Sequence, residues 1–299
     1  MSDREGGYSL SKVGLRQKLD IQKLDIHETD IHWHERGPLE PGAPGEPVLM
    51  IMGLAASSRL WYRLVPWIAR RHRAIVFDNR GTGASPAVRG RLTMAGMAND
   101  AISVLDAAGV DQAHVIGASM GGMIAQHVAI DHRDRVRSLV LACTTAGGRR
   151  GAPPWRLVAA SALRPLFGSR RTFPVVAPVL YASATRAEHP DRIREDLDRR
   201  IEDNTSALTV YAQMGAIGRH DTRRRLGELD GLPTLVVHGL EDGLVPPERG
   251  RELADLIPGA RLELIPACGH LLATDAEEAT AGAILTHLEH LSNFCPWPT

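Results

Sequence analysis

His114-Val115-Ile116-Gly117-Ala118-Ser119-Met120-Gly121-Gly122 joins a short apolar run to a helical pattern over 123–130 through one serine set between small residues. A serine on so sharp a strand-to-helix turn is held in a strained backbone conformation. Its neighbours two places to either side must then be nearly free of side chain, and here they are Gly117 and Gly121. The helix that follows aims its N-terminus at the serine, which favours developing negative charge. Glycines make up 29 of 299 residues, so the local pattern is only moderately specific. Its position between strand and helix gives it weight.

Outward from this turn, short β-branched runs recur at 48–52, 74–77, 136–142, 235–238 and 261–265. Continuous apolar runs of this length suit strands buried on both faces, as in a parallel sheet. Between them the spacing predicts helices at 61–71, 93–108, 120–131, 248–256 and 276–291. In the second of these Ala98, Ala101, Ile102 and Leu105 share one face and Gly109 is a natural stop. Ile26 and the alternation over 29–33 suggest a two-stranded hairpin at the start. Strands alternating with helices imply an α/β architecture, a doubly wound and mostly parallel sheet with helices on both faces.

The alternation stops between Ala142 and Leu235. The stretch 145–225 is rich in Pro, Arg and helix formers, and an insertion of this size reads as a helical lid. Its apolar residues Trp155, Leu163, Phe167 and Leu180 are candidates to line a substrate pocket. A tandem Gln-Lys-Leu-Asp-Ile repeat at 17–26 and all three lysines (Lys12, Lys18, Lys23) mark the chain's start. The expected organisation is an extension at 1–23, a core at 24–144 and 226–291, the lid at 145–225 and a tail at 292–299.

Composition narrows the function class. Lys and Arg together number 35, as do Asp and Glu, so neither a basic nucleic-acid surface nor an acidic tail is indicated. No run of 18 apolar residues suggests a membrane span, and the polar start lacks a secretory pattern, so a cytoplasmic protein is expected. Three cysteines, Cys143, Cys268 and Cys295, without CxxC spacing argue against a disulfide framework or a zinc site, and no metal or cofactor is expected. The expected partner is a small-molecule substrate, with no nucleic acid and no membrane; the oligomeric state is left open, a homodimer included.

A nucleophilic serine needs a base, and the base an orienting acid. Among thirteen histidines, His270 follows the last predicted strand in Pro266-Ala267-Cys268-Gly269-His270. The acid candidate is Asp242, in a loop just after the strand at 235–238. Glu241 competes for that role, but neighbours in an extended stretch point opposite ways. Ser119, Asp242 and His270 would all stand at the carboxyl ends of parallel strands, where open α/β sheets bind ligands. Cys143 reads as a small core residue; Cys268 could line the site.

In these motifs the chain resembles the α/β-hydrolase superfamily over roughly residues 24–290. The likeness rests on the elbow at 117–122, on Asp78-Asn79-Arg80-Gly81-Thr82-Gly83-Ala84-Ser85, on the acid loop 239–246 and on Gly269-His270. It implies a Ser119–His270–Asp242 triad, an eight-stranded sheet and an oxyanion hole from the backbone N–H groups of Met120 and Leu54. The family commonly carries His-Gly where this chain has Met52-Gly53, which removes a histidine that braces the loop while Gly53 still permits close approach. Asp78 and Arg80 are expected to brace that region as a carboxylate–guanidinium pair.

The activity so implied is hydrolysis of a carboxylic ester or lactone of a small to medium, mostly apolar substrate. The overall pattern is most similar to the enol-lactonase-like and carboxylesterase branch. Carbon–carbon bond hydrolases and perhydrolases share such elbows, and a non-catalytic small-molecule receptor on the same fold is the remaining alternative.

Overall fold

Alternate residues of a strand face opposite ways, so a strand covered on both sides is apolar at every position. The computed structural model, which describes residues 29–43, 45–148, 170–203 and 205–292, shows this layering. In β2 (Pro47–Ile51), Leu49 and Ile51 join one core with Ile75, Val115, Leu139 and Leu141, while Val48 and Met50 join another with Val76, Ile116 and Val140. Those partners come from β3 (Arg73–Phe77), β4 (Ala113–Ala118) and β5 (Val136–Ala142). The first core is closed by α2 (Met94–Ala107), α3 (Met120–Asp131) and α8 (Pro247–Leu256); the second by α1 (Val65–Ile68), α9 (Leu272–Asp275) and α10 (Glu277–Ser292).

With β1 (Trp33–Arg36), β6 (Thr234–Gly239) and β7 (Arg261–Ile265), the strands form one sheet in the order β1-β3-β2-β4-β5-β6-β7. Only β1 runs antiparallel, against β3. Seven strands are present among the described residues, not eight. The expected hairpin is corrected in part: its first half lies outside the described residues, 29–32 carry no strand, and β1 pairs with β3 instead.

The segment expected as one helix at 61–71 is a 3-10 turn, Ser58–Trp61, followed by the short α1. Pro66 lies in the first turn of α1 and has no N–H, so it cannot donate to the Tyr62 carbonyl and carry one helix through both pieces. The α2 helix begins where the Thr93 hydroxyl accepts the Gly96 N–H, and Gly109 just beyond it takes φ 64.

Between β5 and β6 the described chain is helical: α4 at 170–180, α5 (Ser183–Glu188), α6 (Pro190–Glu202) and α7 (Ala207–Ile217). Trp155, Leu163, Phe167 and Cys295 lie outside the described residues, as do the extension at 1–23 and the tail from 293. Among the described residues no helix is long and apolar enough to cross a membrane, and no cluster of three metal-ligating side chains occurs.

Candidate active site

The chain leaves β4 and enters α3 with a single residue between them. That residue is Ser119, at φ 56 and ψ −119, a conformation costing an L-residue about 1–3 kcal/mol. Its surroundings hold it there: the Ser119 N–H donates to Ala142 O at 2.9 Å, and the Thr144 hydroxyl donates to Ser119 O at 2.7 Å. A Cβ on Gly117 would collide with the Gly121 carbonyl, and one on Gly121 with the Ile51 carbonyl. The α3 helix can therefore start tight against β4 and β2 only with glycine at both places.

Asp242 follows β6 by three residues and His270 follows β7 by five, so both arrive at the same sheet edge as Ser119. His270 Nε2 lies 2.9 Å from Ser119 Oγ, and its Nδ1 lies 2.8 Å from Asp242 Oδ2. The other oxygen, Asp242 Oδ1, accepts the Leu244 and Val245 N–H groups at 2.9 and 2.8 Å, so the carboxylate cannot turn. Burial pushes the Asp242 pKa up, but the His270 charge and hydrogen bonds from His238 and His270 outweigh it and bring the pKa down to about 2. Glu241 points elsewhere, accepting both the backbone N–H and the hydroxyl of Ser183.

Ser119, His270 and Asp242 thus form one hydrogen-bonded line, able to move a proton off a serine oxygen. It opens on a cavity of about 170 Å³ whose wall includes Leu60, Trp61, Leu64, Ile116, Leu180 and Ile284. Gly53 and Leu54 line the same cavity beside Ser119. The Leu54 N–H has no acceptor among the described residues. Met120, as the first residue of α3, lies among the helix N–H groups that have no carbonyl four residues back. Leu180 contributes twice, its side chain lining the cavity and its carbonyl accepting the His270 N–H at 2.8 Å.

Two expectations change here. Asp78 and Arg80 do not pair with each other. Asp78 Oδ1 accepts the N–H and hydroxyl of Ser58 at 2.8 and 2.7 Å, whereas Arg80 reaches Asp100 at 2.6 Å and Asp30 at 3.2 Å. Asp78 is a brace of the loop; Arg80 ties the 78–85 turn to α2. Cys268, a candidate to line the site, does not border the cavity, whereas Cys143 is buried in the second core as expected and also borders it. Both thiols are buried, and burial raises both pKa values, so neither is a ready thiolate.

Several residues of the site escaped the sequence reading. His238, fully buried, has Nε2 at 2.8 Å from Val245 O and 3.3 Å from Asp242 Oδ2, backing the acid from behind. Asn79 Nδ2 donates to Met52 O at 2.8 Å, bracing the loop that lacks a histidine. Asn79 lay within a quoted motif and was legible; the partners contributed by the insertion were not.

This sheet order, with a serine elbow after β4 and its partners after β6 and β7, defines an α/β hydrolase. Residues 46–276 match the family model described as alpha/beta hydrolase fold, and the chain belongs to that family. A Variovorax paradoxus protein named "Putative carbamate hydrolase RutD" is 34% identical over 231 residues, which cover 76% of this chain and 86% of the relative. The thermophilic esterase of Thermogutta terrifontis matches with a TM-score of 0.75 at 26% identity, covering 87% of this chain and 93% of the esterase. The enol-lactonase of Burkholderia xenovorans LB400 matches at TM-score 0.75 and 23% identity, covering 87% and 96%, a likeness of fold alone.

Proposed function

We propose that this hydrolase cleaves a carboxylic ester or lactone of a small to medium, mostly apolar substrate through an acyl-enzyme. The observation that carries the reading is His270, bridging Ser119 Oγ at 2.9 Å and Asp242 at 2.8 Å above an apolar cavity. Ser119 Oγ attacks the carbonyl carbon while His270 Nε2 takes its proton. Asp242 fixes the imidazole tautomer and stabilises the imidazolium. The Leu54 and Met120 N–H groups receive the oxyanion. His270 then protonates the leaving alkoxide, or the ring-opened oxygen of a lactone. Water, deprotonated by His270, releases the acid and regenerates Ser119.

A carbamate carbonyl presents the same geometry to the same atoms, and the relative at 34% identity supports that second reading. The two are separated by measuring kcat/KM on p-nitrophenyl esters of two to eight carbons, on γ- and δ-lactones and on aryl carbamates. A vinylogous diketone serves as the carbon–carbon arm. We expect the ester and lactone arms to lead, with Ser119→Ala inactive. A carbamate preference replaces the first reading by the second, and equal turnover by Ser119→Ala overturns both.

A further inference from the structure

Ala55 adopts φ 57, a left-handed backbone that an alanine rarely takes. It directly follows Leu54, and two side chains of the insertion hold it. Gln213 Oε1 on α7 accepts the Ala55 N–H at 2.8 Å, and the Thr205 hydroxyl donates to Ala55 O at 3.3 Å. Two residues on, Asp203 accepts the Ser57 N–H at 2.9 Å. Among the described residues, side-chain hydrogen bonds from the core reach the ends of this loop, through Asn79 on Met52 O and Asp78 on Ser58.

The peptide that carries the Leu54 N–H therefore lies between two pinned neighbours. The 52–53 peptide is fixed by its carbonyl on Asn79, and the 54–55 peptide by its N–H on Gln213. Gln213 is itself fully buried, so packing decides where its amide points. Of the two bonds on Ala55, the shorter, to Gln213, is the one on the 54–55 peptide, and it holds the left-handed φ and with it the direction of the Leu54 N–H.

We propose that Gln213 is a positioning residue for the oxyanion donor, so that transition-state stabilisation depends on the insertion being seated. It takes over from the insertion side the bracing that a histidine at position 52 would give from the core. This inference rests on the assignment of Leu54 as an oxyanion donor under Proposed function, and it concerns what holds that donor.

The test compares wild type, Gln213→Met, which keeps the bulk and loses the acceptor, and Gln213→Glu, which keeps the acceptor. Each is measured for kcat and KM on p-nitrophenyl butyrate and for inhibition by phenylboronic acid, which adds to a serine oxygen as a tetrahedral anion. We expect Gln213→Met to lose about 10- to 100-fold in kcat, and boronate affinity to fall in step. KM should stay within about twofold, and Gln213→Glu should retain most of the wild-type kcat. A mere packing role would not produce that parallel loss or that rescue. Should Gln213→Met fail to fold, Gln213→Asn, whose acceptor is one methylene short, is held to the same expectation. A Gln213→Met kcat within about twofold of wild type, or an equal loss in Gln213→Glu, overturns the inference alone. Wild-type protein without Ser119-dependent turnover overturns the proposed function beneath it.

Discussion

Ser119 stands at φ 56 with its N–H taken by Ala142 at the end of β5 and its carbonyl by Thr144 just beyond, and its hydroxyl oxygen is left facing His270. The rest of the line is set by Asp242, whose two oxygens are divided between backbone and imidazole. Replacing it by Asn offers Nδ1 the wrong partner for a neutral tautomer. Asp242→Asn should therefore lower kcat by about 10⁴-fold with the fold intact, read from steady-state kinetics beside a thermal melt. Asp242 also has a pH signature. Its folded pKa of about 2 lies below the ordinary 3.8, so its contribution is present above about pH 4 and is lost as pH falls toward 2. In urea melts between pH 5 and pH 2, the stability gap between wild type and Asp242→Asn should narrow by about 2 kcal/mol as the acid is titrated. A pH-independent gap would contradict the assignment of a native ionised carboxylate. The serine, acid and base were all legible in the sequence because each sits in a short motif next to a strand. His238 was not, since a histidine inside a strand carries no sign that it lies 3.3 Å from the acid.

At the scale of elements, the inner parallel strands β2 to β6 were readable to within a residue or so because burial on both faces leaves a nearly continuous apolar run, while the edge strand β7 was readable from alternation, with Arg261 and Glu263 exposed. The β1 strand was not: as an edge strand it is mostly exposed, and only its pairing with β3 defines it. The α3 helix shows how an element places a side chain. Its first turn passes so close to β2 that a Cβ at position 121 would meet the Ile51 carbonyl. Backbone cannot yield there as a flexible side chain would. Gly121→Ala should cost about 1–3 kcal/mol and push α3 away from β2, displacing Ser119. A lowered melting temperature, with kcat reduced more than tenfold in the protein that remains folded, is the expected result. Wild-type activity in the Gly121→Ala protein would show that this contact does not set the serine.

Across the whole molecule, the described part of the insertion is tied to the core by buried polar contacts as well as apolar ones: Ala216 joins the first core, and Leu180 and Tyr181 pack with Leu244 and Leu271. Asp196 of α6 is buried and accepts the hydroxyls of Tyr62 at 2.7 Å, Tyr181 at 3.0 Å and Thr274 at 2.7 Å, joining insertion to core. Burial and the adjacent carboxylate raise the pKa of both tyrosines, so their hydroxyls remain donors. Asp196→Ala would leave three hydroxyls without their acceptor, at roughly 2–5 kcal/mol. Limited proteolysis should then cut within 170–217 while the core resists; unchanged resistance would mean the insertion is held by other means. None of these contacts was legible. Asp196 and Tyr62 are separated by 134 positions, Gln213 and Ala55 by 158, and nothing local in either segment signals the other.

Ser119, activated by His270 and Asp242, is the nucleophile in the proposed reaction. Incubation with a fluorophosphonate followed by peptide mass spectrometry tests it most directly. A single covalent adduct is expected on the peptide containing Ser119, abolished in Ser119→Ala and slowed by orders of magnitude in His270→Ala. An adduct on another residue, or ester turnover that persists in Ser119→Ala, would contradict it.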